Sequence, residues 1–307
     1  MNSRILITGG SGTLGKALLD YNRRMRYLHD FTVFARSELR LAEIKRKYPE
    51  VRTVIGDVRN YQAVLAAAAG HDGVIHAAAM KRIPECEQFP VECFLTNVQG
   101  SENVARACVA AGVRWCVGLS TDKACNAATT YGASKLMLEG LFQSYAAAYG
   151  DSTHFYLVRY GNVVASNGSV VPLWADQARQ GLPLTLTHKD MTRFWMSPTQ
   201  AVDTILQARD VGVNGSIFIP KMRSLRLVDL ARQLHPDQPI LEIGLRSKEK
   251  VHEDLVAPNE QASDKGPYYL IHASGELGHS YCSRDVADLP VSAFVTMLDE
   301  AHSLEHS

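Results

Sequence analysis

Arg4-Ile5-Leu6-Ile7-Thr8-Gly9-Gly10-Ser11-Gly12-Thr13-Leu14-Gly15 runs from a short apolar strand through a glycine-rich turn into a helix. Glycines at 9, 12 and 15 let the turn tighten, let backbone amides approach a pyrophosphate, and let the helix pack on the strand. The helix N-terminus adds local positive potential. Placed between this strand and this helix, Gly9, Ser11, Gly12, Thr13, Leu14 and Gly15 are the expected seat of a dinucleotide.

Outward from that turn, strand-like runs at 5–7, 32–34, 51–55, 74–76, 115–119 and 155–158 alternate with helical stretches at 14–27, 38–48, 61–69, 98–111 and 130–149. Such alternation predicts an α/β fold, a doubly wound parallel (Rossmann) sheet with ligands at the carboxyl ends of its strands. After Tyr160 the rhythm breaks, with Gly161, Gly168, Pro172, Gly181 and Pro183. A helix over 199–211, a strand over 217–220, a helix over 225–234 and a strand over 240–243 follow. We read residues 1–160 as the nucleotide-binding domain and 161–303 as a smaller lobe with segments returning to the sheet edge. The last four, 304–307, read as a tag or processing remnant.

Of the 307 residues 46% are hydrophobic and 21% charged, and the formal net charge is +0. No overall attraction to nucleic acid or anionic membrane is expected, so any anion site is local. The apolar stretches 64–69 and 104–111 are far too short to span a bilayer. Cys86, Cys93, Cys108, Cys116, Cys125 and Cys282 show no CxxC spacing and read as free thiols in a reducing, cytoplasmic setting. His252-Glu253 lacks the second histidine of a zinc helix, and no metal is expected.

The second strand ends Phe34-Ala35-Arg36-Ser37-Glu38-Leu39-Arg40. An acid there would grip the 2′-hydroxyl of NAD; Arg36, Ser37 and Arg40 suit the 2′-phosphate of NADP instead. Asp57 and Val58, after the third strand, suit the adenine. Ala77, Ala78 and Ala79, after the fourth, are small enough to let the cofactor pass.

Tyr131-Gly132-Ala133-Ser134-Lys135 puts a phenol and an ammonium at i and i+4 on one helix face. The phenol's ordinary pKa of about 10 is too high for a base at neutral pH. A neighbouring ammonium and a nicotinamide cation are expected to lower it. Ser120-Thr121 ends the fifth strand and can hold a substrate hydroxyl beside the phenol.

Together, the glycine turn, Ser120-Thr121 and the Tyr131/Lys135 pair resemble the extended short-chain dehydrogenase/reductases. Further segments resemble the configuration-inverting UDP-N-acetylglucosamine 4,6-dehydratases among them. These are His76-Ala77-Ala78-Ala79-Met80-Lys81, Ser120-Thr121-Asp122-Lys123-Ala124, Arg159-Tyr160-Gly161-Asn162-Val163-Val164 and Gly168-Ser169-Val170-Val171-Pro172. Met191-Thr192-Arg193-Phe194-Trp195 and Glu249-Lys250-Val251-His252-Glu253 complete the set, in family order.

The resemblance implies a redox-neutral dehydration. Tyr131 takes the proton of the sugar 4-hydroxyl while NADP oxidises C4, and the new ketone acidifies C5–H. Lys123 is then the C5 base and Asp122 the acid for the departing 6-hydroxyl, with Thr121 beside them. Hydride then returns to C6 and a proton to C5 on the opposite face, which gives a 4-keto-6-deoxy sugar inverted at C5. By the same resemblance Asn97 joins the cofactor contacts, and Lys81 lies near both cofactor and sugar. Asn162 and Arg193 approach the diphosphate, Ser169 and Val170 help wall the uridine, and Arg246 and Glu249 bind diphosphate and ribose. A homo-oligomer, dimer or hexamer, is implied as well.

The sequence departs from its relatives at Ser37, where aspartate is common, and at Ala165 and Asn167, where glycine and arginine are. It also departs at Ser247-Lys248, where Pro-Gly is common, and at Ala127, where proline is usual. Rival readings stay open: a C4 epimerase, a 4-ketoreductase or a dehydratase that stops at the 5,6-ene. From a different class comes a non-catalytic NADP-sensing regulator. Asp122-Lys123 favours dehydration over epimerisation, and the Tyr131/Lys135 pair disfavours a mere sensor.

Overall fold

The structure, a computed structural model, describes residues 3–25, 29–166 and 169–306, with the side chains of 304–306 excluded. Tyr27, Asn167, Gly168 and Ser307 lie outside the described residues.

In chain order the first half runs β1 (Arg4–Thr8), α1 (Thr13–Arg24), β2 (Asp30–Ala35), α2 (Glu38–Lys47), β3 (Arg52–Ile55), α3 (Tyr61–Ala68) and β4 (Gly73–His76). Then come α4 (Ile83–Gln88), α5 (Pro90–Phe94), a π-helical turn (Leu95–Gln99), α6 (Gly100–Ala110) and β5 (Trp115–Leu119). A 3₁₀ turn (Asp122–Ala124), α7 (Thr130–Tyr149) and β6 (His154–Val158) complete it. The helix expected over 98–111 thus begins inside a π-turn and runs as α6 from Gly100. Two short helices with proline at their first or second positions precede it, a place where the missing N–H costs nothing.

The second half runs β7 (Asn162–Val163), α8 (Val170–Arg179), β8 (Leu184–Leu186), β9 (Thr192–Met196), α9 (Pro198–Val211), β10 (Ile217–Pro220) and β11 (Arg223–Arg226). It continues with α10 (Leu227–Leu234), β12 (Ile240–Glu242), β13 (Asp254–Val256), β14 (Ala262–Asp264), β15 (Tyr268–Ile271), β16 (Tyr281–Cys282) and α11 (Val291–His306). The helix expected from 225 begins instead at Leu227, because Arg223–Arg226 pairs antiparallel with β9. The backbone of 304–306, read as a remnant, continues α11.

Nine strands form the main sheet in the order β14-β15-β10-β6-β5-β4-β1-β2-β3. From β3 through β10 the pairs are parallel, and β15 and β14 close the edge antiparallel. Alternate residues face opposite layers, as the pleat requires. Ile5, Ile7, Val117 and Val158 pack with α1, α2 and α9 residues such as Leu18, Ile44 and Ile205. Leu6, Val74, Cys116 and Leu157 pack with Val64, Val104, Leu138 and Phe142 of α3, α6 and α7. A separate core around Trp174, Trp195 and Phe294 holds the second-half elements.

All six cysteines are buried, free thiols. Among the described residues no helix is long and apolar enough to cross a membrane. The chain leaves β1 toward β2 and β3 on one side, then crosses to β4 and β5 on the other. That switch opens a crevice at the carboxyl ends of β1 and β4, where ligands of such sheets bind.

Candidate active site

At the crevice Gly9 takes a positive φ of 71° and donates its N–H to the Phe34 carbonyl at 2.8 Å. A Cβ there would stand 2.7 Å from the Ala78 backbone, so the turn lies directly against the strand-4 loop. At Gly15 a Cβ would stand 2.0 Å from the Gly10 carbonyl oxygen, which ties helix to turn. Gly12 differs: it caps α1 without a side-chain hydrogen bond, and a Cβ there would meet only Gly9 O, at 3.4 Å. Ser11, Thr13 and Leu14 are half-buried around these uncapped first-turn amides. The cradle fits a pyrophosphate.

Ser37 caps α2, accepting the Arg40 amide at 3.3 Å, and Arg36 and Arg40 stand exposed beside it. The Arg36 guanidinium lies 3.9 Å from Asp57. Asp57 takes three hydrogen bonds from Arg59: the amide at 3.0 Å, Nε at 2.9 Å and a terminal nitrogen at 2.6 Å. Burial pushes the Asp57 carboxyl up, but these bonds outweigh it and hold the group below its ordinary value. Val58 is buried in the core, leaving its backbone as the part a ligand could reach. Ala77, Ala78 and Ala79 are half-buried at the crevice.

Asn97 is fully buried in the π-turn, and its amide is committed. It accepts from Met80 N and donates to Met80 O, both at 2.8 Å, and donates to Ser134 Oγ at 2.9 Å. Through these bonds Asn97 fixes the loop bearing Met80 and Lys81. Lys81 is exposed, and the protein around its ammonium pulls its pKa below the ordinary lysine value.

On α7, Thr129 caps the first turn and Tyr131 and Lys135 follow one turn apart. Gly132 is required here, since a Cβ would stand 2.2 Å from the Lys123 carbonyl oxygen. That contact presses α7 onto the 3₁₀ turn. Thr121 hydrogen-bonds the Tyr131 phenol, donates to Asp122 Oδ1 at 2.7 Å and accepts from the Lys123 amide at 3.4 Å. Burial first, and then the Asp122 charge, push the phenol above its ordinary value, against the Thr121 bond. The expected lowering by Lys135 is not among the influences on the phenol in the protein alone, and the Lys135 ammonium donates to Leu119 O at 2.8 Å. Burial brings Lys135 itself down to about 8, against the opposing pull of Glu139.

Ser120 also departs from expectation. Its hydroxyl binds Glu139 at 2.5 Å, inside a buried network in which Arg159 bridges Glu139 and Glu260. Thr121 alone of the pair meets the phenol. Asp122 is fully buried, holds the Lys123 ammonium at 3.0 Å, and among the described residues keeps Oδ2 without a hydrogen bond. Glu253, given no role in the sequence analysis, is 3% exposed, and its Oε1 lies 3.6 Å from the same ammonium. Its 131-residue separation from Asp122 hides the link from sequence reading.

Among the residues assigned to the substrate, Arg193 has a structural role of its own. It is buried, its guanidinium donates to the carbonyls of Thr192, Val251 and Lys250 at 2.7–3.0 Å, and Nε faces Glu253 at 3.8 Å. These bonds pin β9 to the segment before β13. Asn162 is half-buried in β7, and Ser169, whose buried hydroxyl has no hydrogen-bond partner among the described residues, precedes Val170 at the start of α8. Arg246 is exposed and Glu249 half-buried in one turn, Glu249 accepting the Arg246 amide at 3.2 Å. Lys248 ties that turn to Glu87 at 2.9 Å, and Glu87 also accepts the Thr130 amide at 2.6 Å, at the start of α7.

Residues 5–273 match the family model described as polysaccharide biosynthesis protein. The chain belongs to that family. It is an extended short-chain dehydrogenase/reductase, as the motifs implied. It is 41% identical over 297 residues to an inverting UDP-N-acetylglucosamine 4,6-dehydratase of Campylobacter jejuni, covering 89% of this chain and 88% of that one. It is 39% identical over 287 residues to a UDP-glucose 4-epimerase of Rickettsia bellii, covering 90% and 84%. Among solved structures it resembles Pen from Bacillus thuringiensis, with a TM-score of 0.89 and 32% identity over 98% of both chains.

Proposed function

We propose that the protein is an NADP-dependent 4,6-dehydratase of a UDP-linked N-acetylhexosamine, UDP-N-acetylglucosamine foremost, inverting C5. The carrying observation is the Asp122–Lys123 pair, 3.0 Å apart and one Thr121 hydroxyl away from the Tyr131 phenol. A 4-epimerase has no elimination to run and no need of that pair, which favours the Campylobacter relative's activity over the Rickettsia relative's.

A bound nicotinamide dinucleotide would supply the reversible two-electron acceptor for the sugar. Gly9, Ser11, Gly12, Thr13, Leu14 and Gly15 would hold its pyrophosphate, Arg36, Ser37 and Arg40 its 2′-phosphate, and Asp57, Val58 and Ala77 to Ala79 its adenosine side. Tyr131 removes the 4-hydroxyl proton with Lys135 behind it. Passing one proton along the 3.0 Å bond from Lys123 to Asp122 creates the amine and the acid that the elimination needs. Lys123 then takes the C5 proton and Asp122 protonates the 6-hydroxyl, which leaves as water. Lys81, Asn162, Ser169, Val170, Arg246 and Glu249 remain the residues assigned to the UDP-sugar.

We assign residues 1–160 to the nucleotide and 161–303 to the sugar nucleotide, in a cytoplasmic homo-oligomer. The test is UDP-N-acetylglucosamine with NADP in deuterated water, followed by proton NMR. A new C6 methyl with deuterium at C5 is expected. A C4 epimer without a methyl would hand the reading to the epimerase, and absence of turnover to a sensor.

A further inference from the structure

Two carboxylates, not one, stand against Lys123. Asp122 Oδ1 lies 3.0 Å from its ammonium and Glu253 Oε1 3.6 Å. Both acids are buried, and among the described residues neither Asp122 Oδ2 nor Glu253 Oε2 has a hydrogen bond, although Glu253 Oε2 faces the Lys250 ammonium at 4.0 Å. Buried carboxylate oxygens without partners are costly, and natural structures rarely retain them without use. Glu253 is held in place from outside the cluster. Its amide donates to Ser283 Oγ at 2.9 Å, and its carbonyl accepts from Ser283 N at 2.8 Å.

We propose that Glu253 is the second carboxylate of the proton-transfer site, a positioning residue that holds the Lys123 ammonium beside Asp122 and governs how readily that amine gives up its proton. The charged groups facing Glu253 are Lys123 and Asp122 from the 3₁₀ turn, Arg193 from β9 at 3.8 Å and Lys250 from its own segment at 4.0 Å. Burial lowers Lys123, but Asp122 and Glu253 outweigh it and Arg193, so the ammonium sits above its ordinary value. Burial raises Glu253 as well, aided by Asp122 and opposed by the three cations. An opposite charge at this range moves a pKa by about 1–3 units. Glu253 thus adds to Asp122 in raising the pH at which Lys123 becomes a free amine.

This inference rests on the dehydratase reading for its catalytic meaning, yet its first readout needs neither cofactor nor substrate. Acetic anhydride labelling of Lys123, followed by peptide mass spectrometry across pH, reports the amine directly. Glu253→Gln should move the labelling midpoint toward acid by about one unit or more, making labelling about tenfold faster at a fixed pH below it. The rise of C5 deuterium exchange with pH should move with it. Glu253→Asp, which keeps the charge but withdraws it, should fall between the two.

Ser283→Ala removes the support without the charge and should leave the midpoint in place. Equal shifts in Ser283→Ala and Glu253→Gln would make the effect structural and overturn the proposal. So would an unmoved midpoint in Glu253→Gln, or, if that protein fails to fold, in Glu253→Asp. Absence of C5 exchange in the wild type, with labelling still dependent on Glu253, would refute the dehydratase reading instead.

Discussion

The Lys135 ammonium donates to the backbone carbonyl of Leu119 at 2.8 Å, a neutral partner for a buried charge. Its pKa of about 8 lies below the 10.5 of a free lysine, burial being the leading cause. Between those values the unfolded chain binds more protons than the folded one, so stability rises with pH. Below about pH 8 the buried charge costs the fold about 3 kcal/mol. Lys135→Met should therefore melt higher than the wild type at pH 7, lose that advantage as pH climbs toward 10.5, and lack turnover. Thermal melts at several pH values check this; a variant less stable at pH 7 contradicts it.

Gly9 and Gly12 should respond oppositely to alanine. At Gly9 the positive φ and the 2.7 Å approach to Ala78 forbid the methyl, and a loss of at least about 1–3 kcal/mol in stability is expected. At Gly12 the methyl meets only a 3.4 Å contact, so stability should hold within about 0.5 kcal/mol while NADP binding weakens. Denaturant titration and calorimetry separate the two. Intact cofactor affinity in Gly12→Ala would remove that turn from the pyrophosphate site.

Arg193→Lys tests the structural role. Val251 O keeps the Thr192 amide at 3.1 Å and Thr192 O the Ser283 hydroxyl at 3.4 Å, but Lys250 O loses its guanidinium partner, and a carbonyl left buried and unpaired costs about 1–3 kcal/mol. The variant should unfold at clearly lower denaturant in the absence of any nucleotide. If it unfolds with the wild type yet binds UDP more weakly, the residue belongs to the diphosphate after all.

Arg36→Ala should cut the preference for NADP over NAD at least about tenfold, since an exposed guanidinium at the end of β2 has only a 3.9 Å approach to Asp57 to hold it. Affinities for the two cofactors, measured side by side, decide it. An unchanged ratio would place the 2′-phosphate elsewhere.

What the sequence revealed and what it hid divide along a physical line. β1, the glycine turn and α1 are local, and their pattern reads directly; so do Tyr131 and Lys135, one helical turn apart. Pro172 and the glycines around it read as breakers, although Pro172 sits in the first turn of α8, where proline is tolerated. Leu225 and Arg226 continue the helical pattern of 227–234, yet pairing with β9 draws them into a strand. The structural bonds of Arg193 were hidden because its three carbonyl partners include two from a segment nearly sixty residues away. Glu253 stayed invisible for the same reason.

The place of β10 in the main sheet bears on how the polypeptide emerges from the ribosome. β6 ends at Val158, but the neighbour that covers its open edge arrives only with Ile217–Pro220. Arg159 waits longer still for Glu260, about a hundred residues downstream. A nascent chain released at residue 160 would carry a bare strand and a guanidinium paired with Glu139 alone, the bare strand being a template for edge-to-edge aggregation. Expression of that fragment alone should yield insoluble material, whereas one extended through β15 satisfies both demands.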